Sequence, residues 1–295
     1  MRTGLASDPV FELHDTGEGH PERAARLPAL LNALEGLDLV PIAPREATRA
    51  EIVAVHRPEY VDRVQEAVAR GVSHMDADTV LSPHSFEAAL KAAGAGLALG
   101  EALLDGRIEA GFAAVRPPGH HACTARAMGF CLLNNIAILA RFLHARGKRV
   151  CIVDWDVHHG NGTEEIFRND PEVGFCSLHQ SPLYPGTGSP REIGAGNIRN
   201  LPLPPASGEP TYLRAFDEQV LPWLEERAPD VVLVSCGFDA HALDPLANME
   251  LLSGSYAEFT RRLTRWPILS LLEGGYSLEA MAEGGRAHIE ALTEA

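Results

Sequence analysis

The sequence predicts one α/β domain built on a parallel sheet, and three observations carry that prediction. Short β-type apolar runs alternate with longer helical stretches, the pattern of a parallel sheet covered on both faces. No internal repeat or low-complexity linker divides the 295 residues, so residues 1–295 read as a single domain. Polar residues of chemically capable type gather just past the ends of the apolar runs, the edge at which open parallel sheets bind ligands.

In chain order, helices are expected over Glu22–Leu34, Arg49–His56, Glu59–Arg70 and Ser85–Leu104, before the first clear strand, Phe112–Arg116. Helix Asn134–Arg146 then precedes strand Arg149–Asp154, and strand Val173–Leu178 follows. The last third reads as helix Thr211–Glu226, the very apolar strand Val231–Cys236, helix Ser255–Thr264, strand Ile268–Leu272 and helix Leu278–Thr293. After the five strands come, respectively, Arg116-Pro-Pro-Gly-His-His121, Asp154-Trp-Asp-Val-His-His-Gly160, Ser177-Leu-His179, Gly237-Phe-Asp239 and Glu273-Gly-Gly-Tyr276.

Composition narrows the function classes. Lys plus Arg total 25 against 40 Asp plus Glu, a formal charge of −15, which on average repels a phosphate backbone and argues against nucleic acid as a direct ligand. An acidic exterior suits cationic substrates such as lysine-bearing peptides, although its plainer reading is solubility. The five cysteines form no CxxC pair, and Cys151, Cys176 and Cys236 sit inside apolar runs, a usage suited to a reducing compartment. The N-terminus lacks an apolar signal core and no stretch has the length and apolarity of a membrane span, so a cytoplasmic protein is expected.

In an extended segment Asp154, Asp156 and His158 point to one face, so they are expected to converge at the strand end. Two carboxylates and an imidazole there suit a divalent metal such as zinc with open positions; a salt-bridged turn cluster is the alternative. Asp239 emerges from a buried strand and needs a partner, which a metal or a helix cap would provide. His120 and His121 follow a rigid Pro-Pro-Gly loop, and histidine is the natural general base near neutral pH. Tyr276 follows two glycines that let a phenol be aimed over a pocket, or it is a tyrosine after an ordinary turn. Cys123 and Met128 lie in these motif loops without an assigned role, and His14 and His20 serve either a pocket rim or a cap.

Together with Gly129-Phe-Cys-Leu-Leu-Asn-Asn135, Val153-Asp-Trp-Asp-Val-His-His-Gly-Asn-Gly162 and Tyr184-Pro-Gly-Thr-Gly188, these motifs resemble the histone deacetylase family, most closely its class II branch and the bacterial histone-deacetylase-like amidohydrolases. The resemblance runs from His14 to Tyr276. It implies the arginase–deacetylase fold, with an eight-stranded parallel sheet, and a zinc ion held by Asp156, His158 and Asp239. It also implies that His121 is the general base with Asn161 on its far nitrogen, and that His120 is its partner, bonded to Asp154. Tyr276 would polarise the scissile carbonyl. Gly129, Phe130, Tyr184, Leu246 and Gly275 are expected around a narrow channel for the lysine stem. A structural potassium ion is expected at Asp154, Ser177 and the main-chain oxygens of Asp156, His158 and Leu178.

The implied activity is hydrolysis of acyl-lysine amides in peptides, proteins or small acylated amines; whether the chain forms a homo-oligomer is left open. Asn161 stands where class I members carry aspartate, and a neutral partner should leave His121 neutral and basic near pH 7. Two other readings remain: an acetylpolyamine amidohydrolase, with Asp76 or Asp78 supplying the acid for distant ammonium groups, and a non-catalytic binder of acylated ligands.

Overall fold

The computed structural model describes all 295 residues. The eight strands are β1 (Thr3–Ala6), β2 (Val40–Pro41), β3 (Ala110–Ala113), β4 (Val150–Asp154), β5 (Val173–Gln180), β6 (Ile198–Leu203), β7 (Val231–Cys236) and β8 (Ile268–Leu272). They form one sheet in the order β2-β1-β3-β8-β7-β4-β5-β6, and every neighbouring pair is parallel. This is the expected α/β architecture. The central strands β8, β7 and β4 are buried on both faces, which is why they read as uninterrupted apolar runs.

Three strands escaped the sequence reading, and all lie toward the sheet's edges. β1 is four residues long and contains a glycine, β2 is a two-residue edge strand ending in Pro41, and β6 mixes Arg199, Asn200 and Pro202 into its length. Edge strands tolerate proline and polar residues because one side needs no ladder partner. The strand expected at Phe112–Arg116 is shifted to Ala110–Ala113, since Val115 and Arg116 already belong to the loop beyond.

The helices are α1 (Arg26–Ala33), α2 (Arg49–Val53), α3 (Pro58–Ala69), α4 (Ser85–Leu104), α5 (Asn135–His144), α6 (Asn161–Phe167), α7 (Glu209–Ala215), α8 (Leu221–Arg227), α9 (Ser253–Leu263) and α10 (Leu278–Glu294). A π-helical turn, Phe216–Val220, joins α7 to α8, so the expected helix 211–226 is one body with an irregular centre. The short α6 was not foreseen. Helix α1 starts only at Arg26, after a bend at Glu22 and a turn at residues 24–25, so Glu22 lies ahead of it. Helices α4 and α5 pack together over one face of the sheet, and α1, α9 and α10 pack together over the other. A single apolar cluster of 76 buried residues runs through both layers, consistent with one core. No helix is long and apolar enough to cross a membrane.

Candidate metal centre and pocket

The loops leaving β3, β4, β7 and β8 meet above the C-terminal edge of the sheet. Asp156, His158 and Asp239 converge there, with one ligand-type atom from each lying within 4.8 Å of the others, all three residues buried. His158 Nδ1 is 3.1 Å from both Asp156 Oδ1 and Asp239 Oδ2. The backbone fixes the carboxylates: Asp239 Oδ1 accepts from Val157 N at 2.8 Å, and Asp156 Oδ2 accepts from Gly274 N at 2.7 Å.

Asp154 does not join this group. The extended backbone ends with β4, so the alternation that would have aimed all three residues to one face stops, and Asp154 turns to His120 Nδ1 at 2.9 Å and to Asp156 N. The expected convergence is corrected to Asp156, His158 and Asp239.

The electrostatics of the triad call for a cation. Burial, with Asp156 beside it, pushes the Asp239 carboxyl up to about 7. Burial would hold His158 neutral, but the two carboxylates outweigh it and push the imidazole up to about 10, so a proton is held where a stronger positive charge would fit. Two oxygens and one imidazole nitrogen, with no fourth protein ligand, match an open zinc site. The surrounding backbone leaves room: a Cβ placed on Gly274 would stand 2.6 Å from Asp156 Oδ2, so any side chain there would have to push the carboxylates of the triad aside.

The two adjacent histidines differ sharply. Burial lowers His120, yet Asp156, Asp154 and Glu273 outweigh it and raise it well above the ordinary value. Burial also lowers His121, and there the neighbouring positive charges of His120 and His158 reinforce the effect, so His121 is driven well below its ordinary value and is neutral. Its Nδ1 lies 2.7 Å from Asn161 Oδ1.

Above the triad lies a pocket of about 250 Å³, lined by Asp78, His121, Gly129, Phe130, His158, Leu183, Tyr184, Leu246 and Tyr276. Gly129 is required by close approach, because a Cβ there would strike the His121 ring. Phe130 adopts a positive φ of 68°, an uncommon conformation for a bulky residue, with its amide held by Thr79 Oγ1. Its ring meets the Tyr276 ring edge-on at 5.9 Å, and Tyr184 meets His121 edge-on at 5.3 Å. The loop carrying Tyr184 is tied down by His159, which bonds Thr187 Oγ1 at 2.8 Å and Glu164 at 3.0 Å. Gly275, expected on the channel, does not line it. A Cβ there would meet Phe238 and Met281, so the residue faces the core, and its carbonyl accepts from Arg26 Nε. Ser177 sits opposite Asp154 in the β4–β5 register, with its hydroxyl 3.0 Å from His179 Nδ1.

Several supporting residues were missed. Glu273, buried and pushed up to about 7 by burial, accepts from the amides of Gly119 and His120 and so anchors the histidine loop. Asp244 accepts from Tyr276 N at 2.7 Å. Glu22 forms buried ion pairs with Arg26 and Arg116, and Arg26 in turn donates to the carbonyls of Glu273 and Gly275. Glu273 stands inside one of the motifs and Glu22 at the start of an expected helix, but nothing local indicates what they bind.

Fold and site define an open parallel α/β protein with a candidate metal centre at the floor of a pocket above the sheet edge. The family model "Histone deacetylase domain" matches residues 20–292, and the chain belongs to the histone deacetylase family. It is similar to a "Probable deacetylase" of Archaeoglobus fulgidus, 39% identical and covering 95% of this chain and 82% of that one. A second "Probable deacetylase", from Methanothermobacter thermautotrophicus, is 42% identical over 98% of this chain and 90% of its own length. Among solved structures, the crystal structure of the HDA15 HD domain superposes with a TM-score of 0.95 at 38% identity, covering 99% of this chain and 88% of that one. The fold is therefore the arginase–deacetylase fold, and the chain is a deacetylase of that family.

Proposed function

We propose that this deacetylase is a zinc-dependent amidohydrolase that removes acyl groups from lysine side chains. The observation that carries the reading is that one pocket brings together the Asp156–His158–Asp239 triad, a neutral histidine with a fixed far-side partner, and a tyrosine whose hydroxyl is engaged by no protein group. Asp156, His158 and Asp239 would hold the zinc. Bound there, the ion supplies Lewis-acid polarisation of an amide carbonyl and acidifies water.

The chain's own groups do the rest. His121 donates Nδ1–H to Asn161 Oδ1 and presents the Nε2 lone pair to the pocket, where it takes the proton of the attacking water and returns it to the departing amine nitrogen. Burial, with Asp239 and Asp156 nearby, raises Tyr276 well above the ordinary phenol range, so it stays protonated and donates to the oxyanion. A carbon–oxygen bond forms, the carbon–nitrogen bond breaks, and a carboxylic acid and a free amine leave. Phe130 and Tyr184 flank the lysine methylenes, and Leu246 adds apolar surface at the half-exposed mouth. A potassium ion is supported by Asp154 and Ser177 lying side by side, and by the main-chain oxygens of Asp156 and His158, which accept no hydrogen bond. Five buried free cysteines suit a reducing cytoplasm.

One observation favours the polyamine reading: the carboxylate-bearing Asp78 lines the same pocket. Zinc-loaded enzyme assayed on acetyl-, propionyl- and longer acyl-lysine peptides beside acetylated polyamines separates the two. Faster turnover of polyamines than of every peptide would replace the lysine assignment, and no turnover of any substrate would leave a binder of acylated ligands.

A further inference from the structure

We propose that Cys123 and Met128 are positioning residues that set the tautomer of His121 by holding the Asn161 amide in one of its two orientations. The inference rests on His121 being the base. Asn161 Oδ1 lies 2.7 Å from His121 Nδ1, while its Nδ2 lies 3.5 Å from Cys123 Sγ and 3.4 Å from Met128 Sδ. An asparagine amide is nearly symmetric in shape but opposite in hydrogen-bonding sense at its two ends. With oxygen toward the imidazole, the ring proton is drawn to Nδ1 and Nε2 offers a lone pair to the pocket. With the NH₂ group toward the imidazole, Nδ1 must accept, the proton moves to Nε2, and the base is lost.

The imidazole cannot choose between these states, because either one satisfies it. The choice comes from the other end of the amide. A thioether has no hydrogen, so Met128 can only accept, and an amide oxygen turned toward it would set two acceptors face to face. Cys123 is committed in the same sense. Its thiol points to the His121 carbonyl at 3.7 Å, and Arg126 donates to its sulfur at 3.8 Å, leaving sulfur lone pairs for Asn161. Two weak acceptors thus favour NH₂ on the sulfur side and oxygen on the histidine side.

The test is long-range ¹H–¹⁵N correlation spectroscopy of zinc-loaded, ¹⁵N-labelled protein, which reads which His121 nitrogen carries the proton, with kcat and KM measured alongside. Wild type should show the Nδ1–H form. The Cys123→Ala/Met128→Leu double variant should show a substantial Nε2–H fraction, with kcat lower by about two- to tenfold and KM unchanged, the scale expected for losing weak hydrogen bonds. A wild-type spectrum in the variant overturns the proposal whatever happens to kcat. A changed spectrum with unchanged kcat upholds the orientation and removes His121 as the base. In an Asn161→Asp background, whose carboxylate has no amide to orient, most of the loss should disappear; an undiminished loss assigns the effect to packing and overturns the proposal. Should the double variant fail to fold, Met128→Leu alone, at a half-buried position, carries the same spectral test.

Discussion

Gly274 places the sharpest steric demand on the proposed metal centre, and replacing it with alanine tests the triad without touching a ligand. Its Cβ would stand 2.6 Å from Asp156 Oδ2 and nearer still to Asp239 Oδ2, whereas contacts of a real Cβ begin near 3.0 Å. The Asp156 oxygen must therefore retreat by at least about 0.4 Å and the Asp239 oxygen by more, against a tolerance of about 0.2 Å for metal–ligand distances. Retreat is obstructed, because Asp156 Oδ2 is bonded to Gly274 N and the other oxygen of Asp239 to Val157 N. Changes that merely reorient ligands cost about 10–100-fold in metal affinity, and displacing two of three should cost at least the upper figure. Zinc affinity is measured by competition with a chromophoric chelator, and metal content after dialysis by mass spectrometry. Circular dichroism establishes that the variant is folded. A folded Gly274→Ala protein with wild-type zinc affinity would refute the triad as the metal site.

Four further outcomes follow from the structure. His121→Ala should lower kcat by about 10²–10⁴-fold, and Tyr276→Phe should lower kcat by about 10²–10³-fold with little change in KM; steady-state kinetics on an acyl-lysine peptide decide, and an unchanged kcat removes either residue from the mechanism. Burial raises the Glu22 carboxyl, but Arg116 and Arg26 outweigh it and hold it down at about 2 against 4.5 unperturbed. The resulting stability, on the order of 3 kcal/mol, is present above pH 4.5 and lost as pH falls from there toward 2. Glu22→Gln should be less stable at pH 7 and lose less stability over that window, and equal slopes in denaturant titrations would exclude the ion-pair account. Leu246→Glu should shift kcat/KM toward acetylated polyamines by about 1–3 kcal/mol, and an unaltered ratio would show that this position does not read substrate charge.

What the sequence made legible follows from the range of the interactions involved. β4, β7 and β8 were readable because a strand buried on both faces needs apolar residues at consecutive positions, and the demand is local. The edge strands β2 and β6 answer to no such demand, β1 between β2 and β3 is only four residues long, and α6 begins inside a glycine-containing motif where no helical period has room to develop. The residues brought together at the pocket could be named because each carries its own chemical type. Their supports could not. Glu273 binds an amide 154 residues away, and Arg26 binds a carbonyl 247 residues away. Such pairings depend on which loops the strand order makes neighbours, and here β3 and β8 are adjacent in the sheet although far apart in the chain.

That adjacency also explains why charge is concentrated at this edge. Asp154, Asp156, Asp239 and Glu273 are four acids buried within one cluster of loop ends, and only His120 and His158 stand among them as counter-charges. An uncompensated buried carboxylate is costly, and the chain could have removed the cost by placing amides or apolar residues there. Glu273 meets two backbone amides through one oxygen while its other oxygen has no partner, and Asp154 meets His120 through one oxygen and the Asp156 amide through the other. Asp156 and Asp239 are also held by backbone amides, yet they converge with His158 so that one imidazole nitrogen lies 3.1 Å from an oxygen of each. What sets Asp156 and Asp239 apart from the acids that support the loops is the convergence of their oxygens with an imidazole nitrogen on one point beside the pocket, and that geometry selects them without reference to any relative.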